Sequence, residues 1–285
     1  MESFAGMTIL YLIRVSTVTL SQIFILLGPV LILSLIMYYI SDVLEKKSLS
    51  VFGYNFLIYF TAIGVAVHEL GHAVFALIFG HKLAEVKLFS PDKESGTLGY
   101  VHHTYNNRNW YHRIGNFFIG IGPILFGSII IYFSAKFLVG NHLFLPLSDL
   151  SINTSTLSST DNAWTFIREV YFNVLQVFAV LIDPKNLSDW KFYVFLYLVF
   201  AIGSNIKLSP PDIKGAWTGF STLVVLMFVF NLITLWIGDQ ATAYVILISQ
   251  TYSFFYAIMI FTAILSIVFI MFITIIKIIK GAIVR

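Results

Sequence analysis

Cysteine is absent from this chain of 285 residues, and charged side chains are scarce. The lack of cysteine excludes disulfide bonds and thiolate metal sites, so any bound metal ion must be held by nitrogen and oxygen ligands. Charged residues make up 11% of the chain and hydrophobic residues 58%. Soluble proteins carry about 25% charged and about 45–50% apolar residues. The composition therefore predicts a polytopic membrane protein.

The chain also lacks a strong charge of either sign, since its formal net charge is +3. A balance this small does not indicate a nucleic-acid partner. The first apolar region is longer than the 7–15-residue core of a cleaved signal peptide, so we interpret it as a permanent anchor. We find no internal repeat and no low-complexity linker, which indicates one membrane domain over residues 1–285.

Hydropathy over a window of about 20 residues predicts an all-α protein with about six transmembrane helices. The predicted spans are 21–42, 55–80, 114–139, 191–206, 216–237 and 243–276. The fourth is short. Residues 1–20 are interpreted as a mildly amphipathic lead-in, and residues 163–183 as an interfacial or re-entrant helix.

These spans divide the single domain into four regions. The first is the N-terminal anchor and the second holds the motif helix, a hairpin and the third span. The third region is an extracytoplasmic loop with the interfacial or re-entrant helix, and the fourth carries an aspartate segment and the C-terminal spans. Their bounds are 1–50, 51–139, 140–190 and 191–285.

A metal-site motif lies inside the second predicted span, in the sequence His68-Glu69-Leu70-Gly71-His72. On a helix, the two histidines of H-E-x-x-H lie one turn apart on one face, where both imidazoles can bind one zinc ion. The glutamate between them is then placed to act as general base in a metalloprotease. Each ionisable group at the centre of a membrane helix costs roughly 2.5–3.5 kcal/mol, so such groups are functional by default.

Two histidines leave a catalytic zinc site one protein ligand short. A metzincin-type third histidine is excluded, because Phe75 and Ile78 occupy the required positions. Glu85 and Glu94 fall in a polar loop beyond the span. Asp212 is the favoured ligand, because it follows an apolar span at a pair of prolines that break the helix and let the backbone bend toward a cavity.

The polar loop after the motif helix predicts a β-hairpin. Residues 83–90 and 97–104 alternate loosely, and the turn-rich run between them contains Pro91 and Gly96. A hairpin beside the metal site offers an edge to which an extended membrane-protein substrate could add as a strand. A plain connecting hairpin fits the same pattern.

Three segments of the chain resemble the site-2 protease family of intramembrane zinc metalloproteases. They are HELGHA from His68, the Gly120-Ile121-Gly122-Pro123 stretch, and Asn205 through Gly215, which departs from the family pattern in the spacing of its prolines and its Asp-Gly pair. The resemblance implies one Zn²⁺ ion held by His68, His72 and Asp212, with Glu69 as general base. It also implies that Asn205 helps to position the scissile peptide.

The resemblance and the charge distribution together imply intramembrane proteolysis in a prokaryotic cytoplasmic membrane. The loop over residues 140–162 contains no lysine or arginine, so the positive-inside rule places it outside and the metal site opening toward the cytoplasm. The alternative is a zinc-binding membrane protein without proteolytic activity, namely a transporter, a sensor or an inactive protease relative. Transporters tend to show two related halves, and this chain shows none.

Overall fold

The computed structural model describes residues 4–140 except 93 and 95, residues 168, 172, 175 and 179, and residues 182–283 except 252. The predicted loop over 140–162 and nearly all of the segment 163–183 lie outside the described residues. The helices are α1 Phe4–Phe52, α2 Tyr54–Ile78, α3 Trp110–Ser134, α4 Pro184–Leu187, α5 Trp190–Gly203, α6 Pro210–Thr234, α7 Gln240–Thr251 and α8 Ser253–Ile283. The strands are β1 Lys82–Lys87 and β2 Tyr100–Thr104.

Helices account for most of the described chain, as the composition predicts. Five apolar helices within the described residues are long enough to cross a membrane, namely α1, α2, α3 with its π-helical extension Ala135–Val139, α6 and most of α8. The shorter α5 has 14 residues, a length of about 21 Å at 1.5 Å per residue, which is less than a hydrocarbon core of about 30 Å. The prediction of an all-α polytopic membrane protein with a small hairpin is confirmed.

The predicted boundary between the lead-in and the first span is wrong. The lead-in over residues 1–20 and the first span form one helix, α1, of 49 residues. Its length of about 73 Å exceeds the thickness of a bilayer, so part of α1 must extend beyond the hydrocarbon. Hydropathy alone misses the extent of α1, because it responds to apolar content and not to where a helix begins or ends. The span predicted over 243–276 is covered by α7 and α8, apart from residue 252, which lies outside the described residues.

The core forms around the short helix α5. Phe192 and Phe195 of α5 are almost completely buried, and they share one apolar cluster with residues of α1, α2, α3 and α8. Helix α2 packs against α3 and α5, α3 packs against α6, and α1 packs against α6, α7 and α8. Because α5 is enclosed by other helices, its end at Gly203 lies inside the protein and not at a surface loop.

Close helix contacts surround the motif on two sides of α2. A Cβ atom at Gly71 would lie 2.7 Å from the backbone nitrogen of Pro123 in α3, so the absence of a side chain lets the two helices approach closely. Gly64 faces α5, because a Cβ there would overlap the carbonyl oxygen of Ala201. The motif helix is therefore held between α3 and α5.

The substitution Gly64→Ala should destabilise the protein strongly. The added methyl group meets the backbone of α5, which cannot rotate away as a side chain can, so we expect a loss of about 3 kcal/mol, at the upper end of overpacking effects. The matched control is Gly215→Ala in α6, where a Cβ meets nothing within 4 Å. Thermal unfolding in detergent followed by helical circular dichroism measures both. Equal unfolding midpoints for the two variants would refute this contact.

The predicted hairpin is present and folds back along α2. Strands β1 and β2 pair antiparallel, with an irregularity between Leu83 and Glu85. The pairing continues beyond the strands through a hydrogen bond from the Ser90 amide to the Leu98 carbonyl. The ring of Phe89 lies 6.1 Å from that of Tyr59, which precedes the motif by more than two turns of α2. The hairpin therefore runs beside the motif helix toward its N-terminal end.

Candidate metal centre

Both motif histidines are oriented by backbone carbonyls. The Nδ1 atom of His68 donates to the carbonyl oxygen of Asn205 at 2.7 Å, and Nδ1 of His72 donates to that of Ile119 at 2.8 Å. A proton on Nδ1 leaves the Nε2 lone pair available as a ligand, and this is the usual support of a metal-binding histidine. The two Nε2 atoms face each other at 3.2 Å.

Asp212 brings a carboxylate to the same point from α6. Its Oδ1 lies 3.2 Å from Nε2 of His72, and its side chain lies 3.8 Å from Nε2 of His68 through Oδ2. Oδ2 also accepts hydrogen bonds from the Ser209 amide and hydroxyl at 2.9 and 2.6 Å. Ser209 and Asp212 thus form a capping box that fixes the carboxylate at the start of α6.

The two prolines before Asp212 act differently from the prediction. We expected Pro210 and Pro211 to break a helix, but they form its first turn, where the missing amide hydrogens cost nothing. The break lies earlier, in the segment from Ser204 to Ser209 that joins α5 to α6. The helix therefore begins before the predicted span of 216–237, and Asp212 belongs to the helix itself.

The three side chains fit a metal ion. One ligand atom from each of His68, His72 and Asp212 lies within 4.8 Å of the other two, and no second group of this kind occurs among the described residues. Two lone pairs and a carboxylate oxygen that face one another without a proton between them repel, and a cation at their centre would stabilise them. The set of two nitrogens and one oxygen matches that of catalytic zinc sites.

Glu69 lies beside this group in a closely packed position. Its residue surface is 8% exposed. The second half of the hairpin covers it, because a Cβ atom at Gly99 would lie 2.8 Å from Cγ of Glu69 and equally close to the carbonyl oxygen of Lys87. The absence of a side chain at position 99 lets the hairpin backbone approach the glutamate, so anything that reaches Glu69 passes next to the hairpin.

Asn205 reaches the centre through its backbone. Its carbonyl oxygen holds His68, while its side-chain Nδ2 donates to the carbonyl oxygen of Ala201 at 2.8 Å and to the Ser204 hydroxyl at 3.3 Å. The resemblance assigns the amide side chain to the substrate, and that assignment stays a prediction. What the structure adds is a second task for the same residue, the orientation of a metal-binding histidine.

A cluster of histidines lies at the end of α2 near the root of the hairpin. His81 is 3% exposed, its Nε2 donates to the His112 carbonyl at 2.8 Å, and its Nδ1 lies 3.0 Å from Nδ1 of His103. The ring of Tyr105 stacks on it at 4.8 Å. His81 thus joins α2, the hairpin and the start of α3.

The surroundings of this histidine pair favour the neutral form of both partners. Burial, followed by the charge of His81, lowers the pKa of His103 to about 4. Burial also lowers the pKa of His81. Because Nε2 of His81 is a donor to His112, its Nδ1 accepts the proton of His103 in a single N–H···N hydrogen bond. The only sequence signal for this cluster was the position of His81 directly after the Gly80 that ends the motif helix.

Comparison with known proteins gives one match. The family model described as Peptidase M50B-like matches residues 47–208, more than half of the chain. No curated protein and no solved structure matches. The matched segment includes both motif histidines and Glu69 but ends before Asp212, so the placement of the carboxylate depends on the fold described above. The chain belongs to the Peptidase M50B-like family, in agreement with its resemblance to the site-2 proteases.

Proposed function

We propose that this protein is an intramembrane zinc metalloprotease that hydrolyses peptide bonds of membrane proteins within or near the bilayer. The observation that carries the proposal is the approach of His68, His72 and Asp212 to within 4.8 Å of one another, on helices long and apolar enough to cross a membrane. A membrane protein of a peptidase family with this group next to a buried glutamate has the parts that hydrolysis requires.

Each residue of the site would have its own role in such a reaction. His68 and His72 would hold the zinc ion through Nε2, and Asp212 through a carboxylate oxygen. The chemistry that bound zinc would supply is polarisation of the scissile carbonyl and acidification of the attacking water. Glu69 accepts the proton of the attacking water and returns it to the departing amine as the peptide bond breaks. The carbonyls of Asn205 and Ile119 keep both imidazoles in the required tautomer.

The experiment that tests the proposal is metal removal and replacement. Purified protein in detergent or liposomes should cleave a single-span substrate, lose this activity when a chelator removes the metal, and regain it with about one equivalent of Zn²⁺. Mass spectrometry of the products locates the cleavage in or near the span. Metal-independent cleavage, or zinc binding without cleavage of any membrane substrate in a broad panel, would contradict a protease and favour a transporter, a sensor or an inactive relative.

The hairpin suggests how a substrate is held. A helical peptide bond is shielded, so the substrate must unwind and lie extended beside Glu69. We propose that the substrate adds as a strand to the hairpin of β1 and β2. The close approach of Gly99 to Glu69 brings this hairpin next to the metal centre. β1 and β2 pair with each other along one edge of each strand, and the opposite edges take no part in that pairing.

Strand addition predicts a periodicity in the substrate. Along an extended chain, alternate backbone amides point toward the partner strand. N-methylation of single residues near the cleavage site should therefore reduce cleavage at every second position and have little effect at the positions between. A uniform effect, or one that recurs every three to four residues, would show that the substrate binds in another way.

We also propose that the protein lies in a prokaryotic cytoplasmic membrane and that its metal site opens toward the cytoplasm. The absence of lysine and arginine from residues 140–162 supports this orientation. Because the chain has no cysteine, Glu94→Cys at the hairpin tip creates a unique thiol. A membrane-impermeant maleimide should label it only after the cells are opened. Labelling of intact cells would show that the protein has the opposite orientation.

A further inference from the structure

The segment between α5 and α6 is held by two contacts from one face of α1. The Ser41 hydroxyl donates to the carbonyl oxygen of Gly203, where α5 ends. One helical turn further along α1, Glu45 pairs with Lys207 at 2.5 Å through its Oε2 and the Nζ of the lysine. These two contacts lie on either side of Asn205 in the sequence.

The segment that they hold supports two of the three ligands. The Asn205 carbonyl orients the His68 ring. Two residues after Lys207, Ser209 holds the Asp212 carboxylate through its amide and hydroxyl. A shift of this segment would therefore move one histidine and the carboxylate together, while His72, held by Ile119 of α3, would stay in place.

The ion pair is partly shielded from water. The Glu45 side chain is 44% exposed and the Lys207 side chain is 32% exposed, so water screens the pair incompletely.

We propose that Glu45 and Lys207 are positioning residues of the metal centre, in that their ion pair fixes the segment from Ser204 to Ser209. This inference rests on the proposed function only in requiring that the centre binds a metal. Neither residue belongs to the group of side chains that could hold the metal. Mutation of a residue that orients a metal ligand typically lowers metal affinity by about 10–100-fold.

The test measures zinc affinity of the full-length protein by competition with a chromophoric chelator. Glu45→Gln and Lys207→Gln should each weaken zinc binding by about 10-fold. The exchange of both charges, Glu45→Lys with Lys207→Glu, should restore the affinity to within about 3-fold of wild type. The matched control is Asp42→Asn, which removes the pair that Asp42 forms with Lys46 at 2.7 Å on the exposed side of α1 and should change nothing.

Thermal unfolding of the metal-free proteins separates positioning from general stability. We expect the charge-exchanged variant and the single variants to unfold close to wild type without metal and to differ only in zinc binding. Wild-type zinc affinity in Glu45→Gln and Lys207→Gln, or an exchange variant no better than the single variants, would overturn the proposal. If the wild-type protein itself bound no zinc, the assignment of the metal centre would be wrong. That outcome differs from one in which the wild-type protein binds zinc and the ion pair has no effect on the affinity.

Discussion

The variant Glu69→Gln should retain its metal and lose nearly all cleavage. Glutamine has the shape of glutamate, so it fits the close contact with Gly99, but it cannot accept the proton of the attacking water. General acid and base catalysis contributes about 10²–10⁴-fold to the rate, and we expect a loss of this size in the single-turnover rate of peptide cleavage. Zinc content, measured on the same sample, should equal that of wild type.

The control for this variant is Glu94→Gln in the turn of the hairpin. Glu94 is exposed and lies outside both strands. We expect cleavage by Glu94→Gln to stay within about 3-fold of wild type, as for a surface substitution. Undiminished cleavage by Glu69→Gln would exclude Glu69 as the general base.

The second large effect is expected for Asp212→Asn. Asparagine keeps an oxygen that accepts hydrogen bonds from Ser209, so the start of α6 should be preserved, but it removes the negative charge from the metal centre. Mutation of residues that only orient metal ligands lowers metal affinity by about 10–100-fold. The loss of a charged ligand should therefore lower the zinc affinity by more than about 100-fold. Competition with a chelator measures the affinity, and cleavage should fall in parallel at limiting zinc.

The matched control is Asp189→Asn at the start of α5. Asp189 also caps a helix through its carboxylate, which accepts from the Lys191 amide, but it is not part of the metal-binding group. It should bind zinc as wild type does. If Asp212→Asn bound zinc with unchanged affinity, the third ligand would have to be another group, and the assignment of Asp212 would be wrong.

Much of the architecture could be predicted from the sequence because the signals are local. The high apolar content indicates membrane spans, since any other environment would expose too much hydrophobic surface to water. H-E-x-x-H on a helix places His68 and His72 one turn apart whatever surrounds them. Alternation interrupted by Pro91 and Gly96 predicts a hairpin for the same reason, because strand period and turn chemistry depend on neighbouring residues.

Other predictions failed or were incomplete because they depend on contacts between distant parts of the chain. The apolar pattern does not show that α1 is continuous from Phe4 to Phe52. It also cannot tell that α5, and not another helix, approaches Gly64. The clustering of His81 with His103 brings together residues from a helix end and a strand, which no local periodicity reports.

By itself, the amino-acid sequence determined the membrane environment, the helical class, the hairpin and the pair of histidines with their glutamate, because each follows from composition or from spacing along one element. Only the tertiary structure decided which carboxylate meets the histidines. Asp212 lies 140 positions after His72, and it reaches Nε2 of that histidine because α5 ends inside the protein, α1 holds the segment that follows, and Ser209 caps α6 at that depth. The carbonyls that orient both imidazoles come from equally distant segments, so packing of separate helices, and not any motif, assembles the metal centre.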